Sequence, residues 1–118
     1  MDQMFETKNL LFNLADNIAK KVYRETLHFP YKYQSSVGDQ LRRACLSVVL
    51  NIVEGGARKS IKEKRQYNNI AYSSLKETKY LIHFASEFSL LKAGFNDEIM
   101  KEINRYAAIL YGLIYKGK

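Results

Sequence analysis

The chain has 118 residues, 47% of them hydrophobic and 13% aromatic, with one proline, and its 19 lysines and arginines against 12 acidic residues give a formal charge of +7. That length fits one domain, 1–118, and the apolar content is high enough to offset chain entropy, which excludes disorder and a two-domain organisation. Cys45 is the one cysteine and has no intramolecular partner, no apolar leader precedes the first charges, and no run reaches about 18 apolar residues, so a disulfide framework and a membrane span drop out and a cytoplasmic location is expected.

Four segments show helical periodicity and none shows the apolar alternation of a half-buried strand, so the expected class is all-α. The first helix is predicted from about Glu6 to Leu27, with Leu11, Leu14, Ile18 and Val22 as its stripe, stopping before Pro30. The second is predicted to begin near Ser36 as N-cap, with Val37, Leu41, Ala44, Val48 and Ile52 on one face, and to end between Gly55 and Lys59. Ser60 and Glu63 have the spacing of a capping box, in which each side chain satisfies a free backbone donor of the other residue.

The third helix then follows, with Tyr67, Ala71, Ser74, Thr78, Leu81, Ala85 and Phe88 at alternating spacings of four and three. Lys92-Ala93-Gly94 is the predicted close of this helix, through a glycine able to turn left-handed. The fourth helix follows Phe95 or Asn96 with the stripe Ile99, Ile103, Tyr106, Leu110 and Leu113, and the tail Lys116-Gly117-Lys118 is expected to fray. Short connections make successive helices antiparallel neighbours, an up-down-up-down four-helix bundle crossing at about 20°.

That topology gives the charge a place. Arg58, Lys59, Lys62, Lys64 and Arg65 crowd the turn between the second and third helices, and Lys8, Lys116 and Lys118 belong to the same end. The patch reads either as a solvated helix terminus or as a phosphate-binding surface, with Arg58 and Arg65 offering bidentate contacts.

On the second helix Ser47, Asn51, Glu54 and Arg58 form a narrow polar line, with Glu54 and Arg58 spaced for an ion pair. If the second and third helices fold back about Lys59 and Ser60, residues numbered to a sum of about 119 lie level. This sets Arg42 or Arg43 against Glu77, Cys45 near Ser74, and Asn51 near Asn68, each within about one helical turn. Register and subunit packing are the expected roles of these polar residues.

No catalytic set emerges, and neither an enzyme activity nor a cofactor or metal is expected. Glu25 and His28 have the Glu-x-x-His spacing of di-iron bundles, but a second such motif is missing. Cys45 lies among apolar residues without a neighbouring histidine, and Gly55-Gly56 lacks the continuation of a phosphate loop. Tyr67, Tyr72 and Tyr80 read either as core or interface aromatics or as platforms for bases.

The ordered string Gln40-Leu41-Arg42-Arg43-Ala44, Ser47, Asn51-Ile52-Val53-Glu54-Gly55 and Arg58, then Ala71, Ser74-Leu75 and Glu77, resembles the bacterial four-helix-bundle family named for proteins encoded in intervening sequences of 23S ribosomal RNA genes. Phe29-Pro30 extends the resemblance. The chain departs from the family at Phe12-Asn13-Leu14-Ala15, where a tryptophan-containing stretch is common, and at Ser73-Ser74, where Gly-Ser is usual.

The resemblance implies a homopentamer around a central channel. It also implies similarity to the accessory variability determinant of diversity-generating retroelements, a basic pentamer that associates with a reverse transcriptase and nucleic acid. A homo-oligomeric module that binds nucleic acid, RNA or DNA, or a ribonucleoprotein complex is the expectation, with a nucleic-acid-processing protein as a candidate partner. The alternative is a protein-interaction scaffold for an acidic partner.

Overall fold

The computed structural model describes residues 9–116. Four long helices account for most of them: α1 Leu10–Thr26, α2 Asp39–Gly56, α3 Ile61–Glu87 and α4 Phe95–Tyr115. No strand occurs among the described residues. The helices form an antiparallel up-down-up-down bundle in which α1 packs on α2, α2 on α3, α3 on α4, and α4 back on α1. Its long dimension, 43 Å, is close to the length of about 40 Å that α3 alone reaches at about 1.5 Å per residue.

Several helix ends differ from expectation. Asn9 is extended at φ −81° and ψ 93°, and its side chain accepts from the Phe12 N–H at 3.1 Å, so the helix begins at Leu10. The predicted start at Glu6 lies outside the described residues, as do Lys8, Gly117 and Lys118.

The helical run that leads into α2 starts earlier than Ser36. Pro30, at φ −53°, initiates a helical turn at Tyr31–Tyr33, and a π-helical turn, Gln34–Gly38, leads into α2. Ser36 does not cap: its hydroxyl donates back to the Tyr33 carbonyl at 3.4 Å. The wider π turn is held by Arg42, which donates to the Gln34 carbonyl at 2.8 Å and to its Oε1 at 3.1 Å.

α3 closes before Gly94. Ser89 adopts φ 57°, the Leu90 N–H bonds the Ala85 carbonyl and the Ser89 N–H bonds that of Ser86, which is a Schellman close built on a serine. Gly94, at φ 84°, serves instead as the residue preceding α4.

The core follows the expected faces closely. Val37, Leu41, Ala44, Val48 and Ile52 are all buried, as are Ala71, Ser74, Thr78, Leu81 and Ala85 of the heptad seam, while Phe88 at its end is exposed. In α1 the buried face is rotated, with Phe12, Ala15 and Ala19 joining Ile18 and Val22, and with Leu11 and Leu14 only partly buried. In α4 the buried stripe runs through Ile114, and Leu113 faces outward, because the last step from Leu110 is four residues. Tyr106 is wholly buried, its hydroxyl donating to the Leu11 carbonyl at 2.7 Å, and that burial holds its ionisation well above the ordinary range.

Candidate nucleic-acid interface

The turn between α2 and α3 is built by close helix approach. A Cβ on Gly55 would stand 2.9 Å from the Cβ of Tyr67, nearer than side chains tolerate, so α2 and α3 meet at this height only because residue 55 has no side chain. Ser60 caps α3 by accepting from the Glu63 N–H at 3.2 Å. The return bond, from the Ser60 N–H to the Glu63 carboxylate, is not formed, so half of the predicted capping box exists.

Five cations were expected to line this corner, and they divide into two groups. Arg58 is committed to the scaffold: one terminal nitrogen donates to Glu54 Oε1 and to the Tyr67 hydroxyl, both at 2.9 Å, and the guanidinium lies 4.9 Å from the Tyr67 ring centroid. The bond with the Tyr67 hydroxyl, and to a lesser degree the nearby Glu54 and Glu63, holds its ionisation above the ordinary value. The predicted Glu54–Arg58 pair is thus present, but the arginine fork is not presented whole to solvent.

Lys64 is also turned inward, donating at 3.4 Å to the Gly55 and Gly56 carbonyls, where a cation suits the negative end of the α2 dipole. Lys59 and Lys62 remain exposed, Arg65 is exposed but makes an interaction of its own, and Lys116 at the end of α4 shares their end of the bundle. Glu54 is the one carboxylate of α2 at this end, and Arg58 occupies it.

The expected polar network exists in altered form. Ser47 and Ser74 share a hydrogen bond at 2.8 Å across α2 and α3, and the Asn51 amide donates to the Ser47 carbonyl and hydroxyl. The level pair is therefore Ser47–Ser74, two residues from the predicted Cys45–Ser74. Cys45 faces α1, where its thiol lies 3.7 Å from the Ala19 carbonyl, and burial pushes its ionisation up to about 12.

The predicted bond between Glu77 and Arg42 or Arg43 is absent. Glu77 is exposed, Arg43 pairs with Asp39 at 2.9 Å, and Arg42 points at α1, donating to the buried Thr26 hydroxyl at 3.0 Å. Helical geometry supplies the reason: Arg42 lies about 140° around the axis from Ser47, the residue that faces α3, at about 100° per residue.

Sequence reasoning missed Gln34 and Thr26 as Arg42 partners. It also missed the role of Glu25, which is 4% exposed and accepts from the Lys92 backbone N–H at 2.7 Å, fastening the α3–α4 loop to α1. The Glu-x-x-His spacing at Glu25 was a visible signal, but it pointed to metal chemistry. Among the described residues no three potential ligands gather to hold a metal, and no helix is long and apolar enough to cross a membrane.

These features define a basic all-helical bundle in which part of the cationic corner is structural and part is exposed. The chain belongs to the family described as 23S rRNA-intervening sequence protein, whose sequence model matches residues 7–112. A crystal structure of a protein of unknown function from the S23 ribosomal protein family of Bacteroides thetaiotaomicron is similar, with a TM-score of 0.80 at 16% identity over 90% of this chain and 99% of that chain. At that identity the likeness shows the fold alone. No curated protein matches the chain.

Proposed function

We propose that this chain is a non-enzymatic, homo-oligomeric basic module of the bacterial cytoplasm that binds nucleic acid or a ribonucleoprotein complex. The observation that carries the reading is the exposure of Lys59 and Lys62 together at the α2–α3 corner, while Arg58 occupies Glu54. Such a surface attracts phosphates by releasing their counterions. The homopentamer is carried over from the family resemblance.

The test is binding of labelled RNA and DNA to the full chain across a salt series. Affinity should fall steeply with salt, and Lys59→Glu with Lys62→Glu should lower both the affinity and the salt slope. No retention of either polymer at low salt sinks the reading. Light scattering tests the assembly separately, and a monomer contradicts the pentamer.

A second reading, a protein-interaction scaffold for an acidic partner without direct nucleic-acid binding, draws on one further observation. Tyr33 and Val37 face Tyr80, Phe84 and Phe88 across an apolar groove of about 340 Å³, at the end of the bundle away from the basic corner. A partner retained after nuclease treatment favours this reading over direct nucleic-acid binding.

A further inference from the structure

α3 carries Arg65, Asn69, Tyr72, Lys76 and Lys79 at spacings of four, three, four and three, which aligns them in one stripe along the helix. α4 carries Asn104, Ala108, Tyr111 and Tyr115 at spacings of four, three and four. The two stripes meet. Lys79 Nζ donates to Asn104 Oδ1 at 2.7 Å, the Tyr72 and Tyr111 rings lie 6.2 Å apart, and Tyr111 and Tyr115 lie 4.7 Å apart. Lys76 Nζ sits 5.3 Å from the Tyr72 ring centroid.

Two properties set this face apart from an ordinary solvated flank. Neither stripe includes any of the chain's 12 acidic residues, and the partner of Lys79 is a neutral amide that leaves its charge uncompensated. Moreover, Tyr111 and Tyr115 are 44% and 61% exposed, and α4 already fills the core with Ile103, Tyr106, Leu110 and Ile114. Packing therefore does not account for two adjacent aromatic rings left in water beside a row of cations.

We propose that the α3–α4 face is a stacking track for single-stranded nucleic acid, with unpaired bases laid on Tyr111 and Tyr115 and phosphates held by Lys76, Lys79 and the adjoining basic corner. This rests on the nucleic-acid reading above and adds the class of ligand. Aromatic rings interleaved with cations accept any unpaired base face, whereas bases within a duplex are already stacked on one another. From Asn104 to Tyr115 the track runs about 17 Å, room for about five stacked nucleotides spaced about 3.4 Å apart. α4 ends where α3 begins, so Tyr115 delivers the strand to Lys62.

The test compares a labelled ten-nucleotide oligoadenylate with an RNA duplex of the same length, using the full chain and the double variant Tyr111→Leu with Tyr115→Leu. Both tyrosines are exposed, so the variant keeps the core intact. Its affinity for oligoadenylate should drop about five- to a hundred-fold. Duplex binding and the mass by light scattering should stay unchanged, and the Tyr→Phe pair should bind the oligonucleotide as the parent does.

If the leucine variant binds oligoadenylate as tightly as the parent, the track is wrong. It is equally wrong if the variant changes the oligomeric state and not the affinity, which would make this face a contact between copies. Should the parent bind duplex through Lys59 and Lys62 while the tyrosine variant changes nothing, only the track falls. Should the parent bind neither polymer, the nucleic-acid reading falls with it.

Discussion

The Arg42 guanidinium donates to the hydroxyl of Thr26 at 3.0 Å, binding α1 to α2, while its other bonds hold the Gln34 side chain and carbonyl. Thr26 is fully buried, and its own hydroxyl donates a hydrogen bond to the Tyr23 carbonyl at 2.7 Å. One side chain thus secures the end of α1, the π turn and the start of α2. Arg42→Met should destabilise the chain by about 2–3 kcal/mol in urea denaturation, because it strands the acceptors of a charged donor. Arg42→Lys should recover little of that, since an ammonium does not reproduce the planar fork. Full stability in Arg42→Met refutes the role.

Gly55→Ala tests the closeness of α2 and α3. The gain in helix propensity, about 1 kcal/mol, opposes an overlap with the Tyr67 Cβ, an atom held by the α3 backbone. Overpacking of that kind costs about 1–3 kcal/mol, so a net loss of about 1 kcal/mol is expected by urea denaturation. A stabilised variant means that the helices stand further apart.

Register across α2 and α3 rests on Ser47 and Ser74, not on Glu77. A double-mutant cycle of Ser47→Ala and Ser74→Ala should return a coupling of about 0.5–1.5 kcal/mol. Glu77→Ala should lie within about 0.5 kcal/mol of the parent. A large effect at Glu77 would mean that it bonds one of the arginines after all.

The corner's two kinds of cation separate by assay. Arg58→Ala removes the link to Glu54 and Tyr67 and should lower the midpoint of urea denaturation. Lys59→Ala with Lys62→Ala should leave that midpoint in place and reduce the salt dependence of RNA binding by about one to two contacts. Equal effects of both variants in both assays remove the distinction.

Cys45 makes a pH prediction. Burial pushes its thiol from an ordinary 9.0 to about 12. Well below pH 9 the thiol is neutral in folded and unfolded chains and contributes no pH dependence. Above it the unfolded chain ionises first and binds fewer protons, so stability falls as pH rises from about 9 toward about 12. That fall should be smaller in Cys45→Ala, and a thiol reagent at pH 8 should label the parent only as fast as it unfolds.

Much of the bundle was legible because burial imposes its period on the sequence. The α2 face from Val37 to Ile52 and the Ser60 cap needed no tertiary information. The π turn at Gln34–Gly38 did, since its widened hydrogen bonding is fixed by Arg42 and not by a local residue pattern. Ser89 hid the end of α3 for a different reason: glycine is the usual left-handed residue, and Gly94 stood nearby to claim the position.

At the corner, residue types revealed the charge but not its allocation. Whether Arg58 and Lys64 face solvent or scaffold depends on the height at which Tyr67 crosses Gly55, a distance between helices.

The bond from the Lys92 N–H to buried Glu25 gives the far end of the bundle its own clock. Lys92 is an exposed residue of a connecting loop, where amides ordinarily trade hydrogen with water quickly. This one trades only when α1 and the loop part, so its exchange rate times the opening of that end, independently of events at the cationic corner.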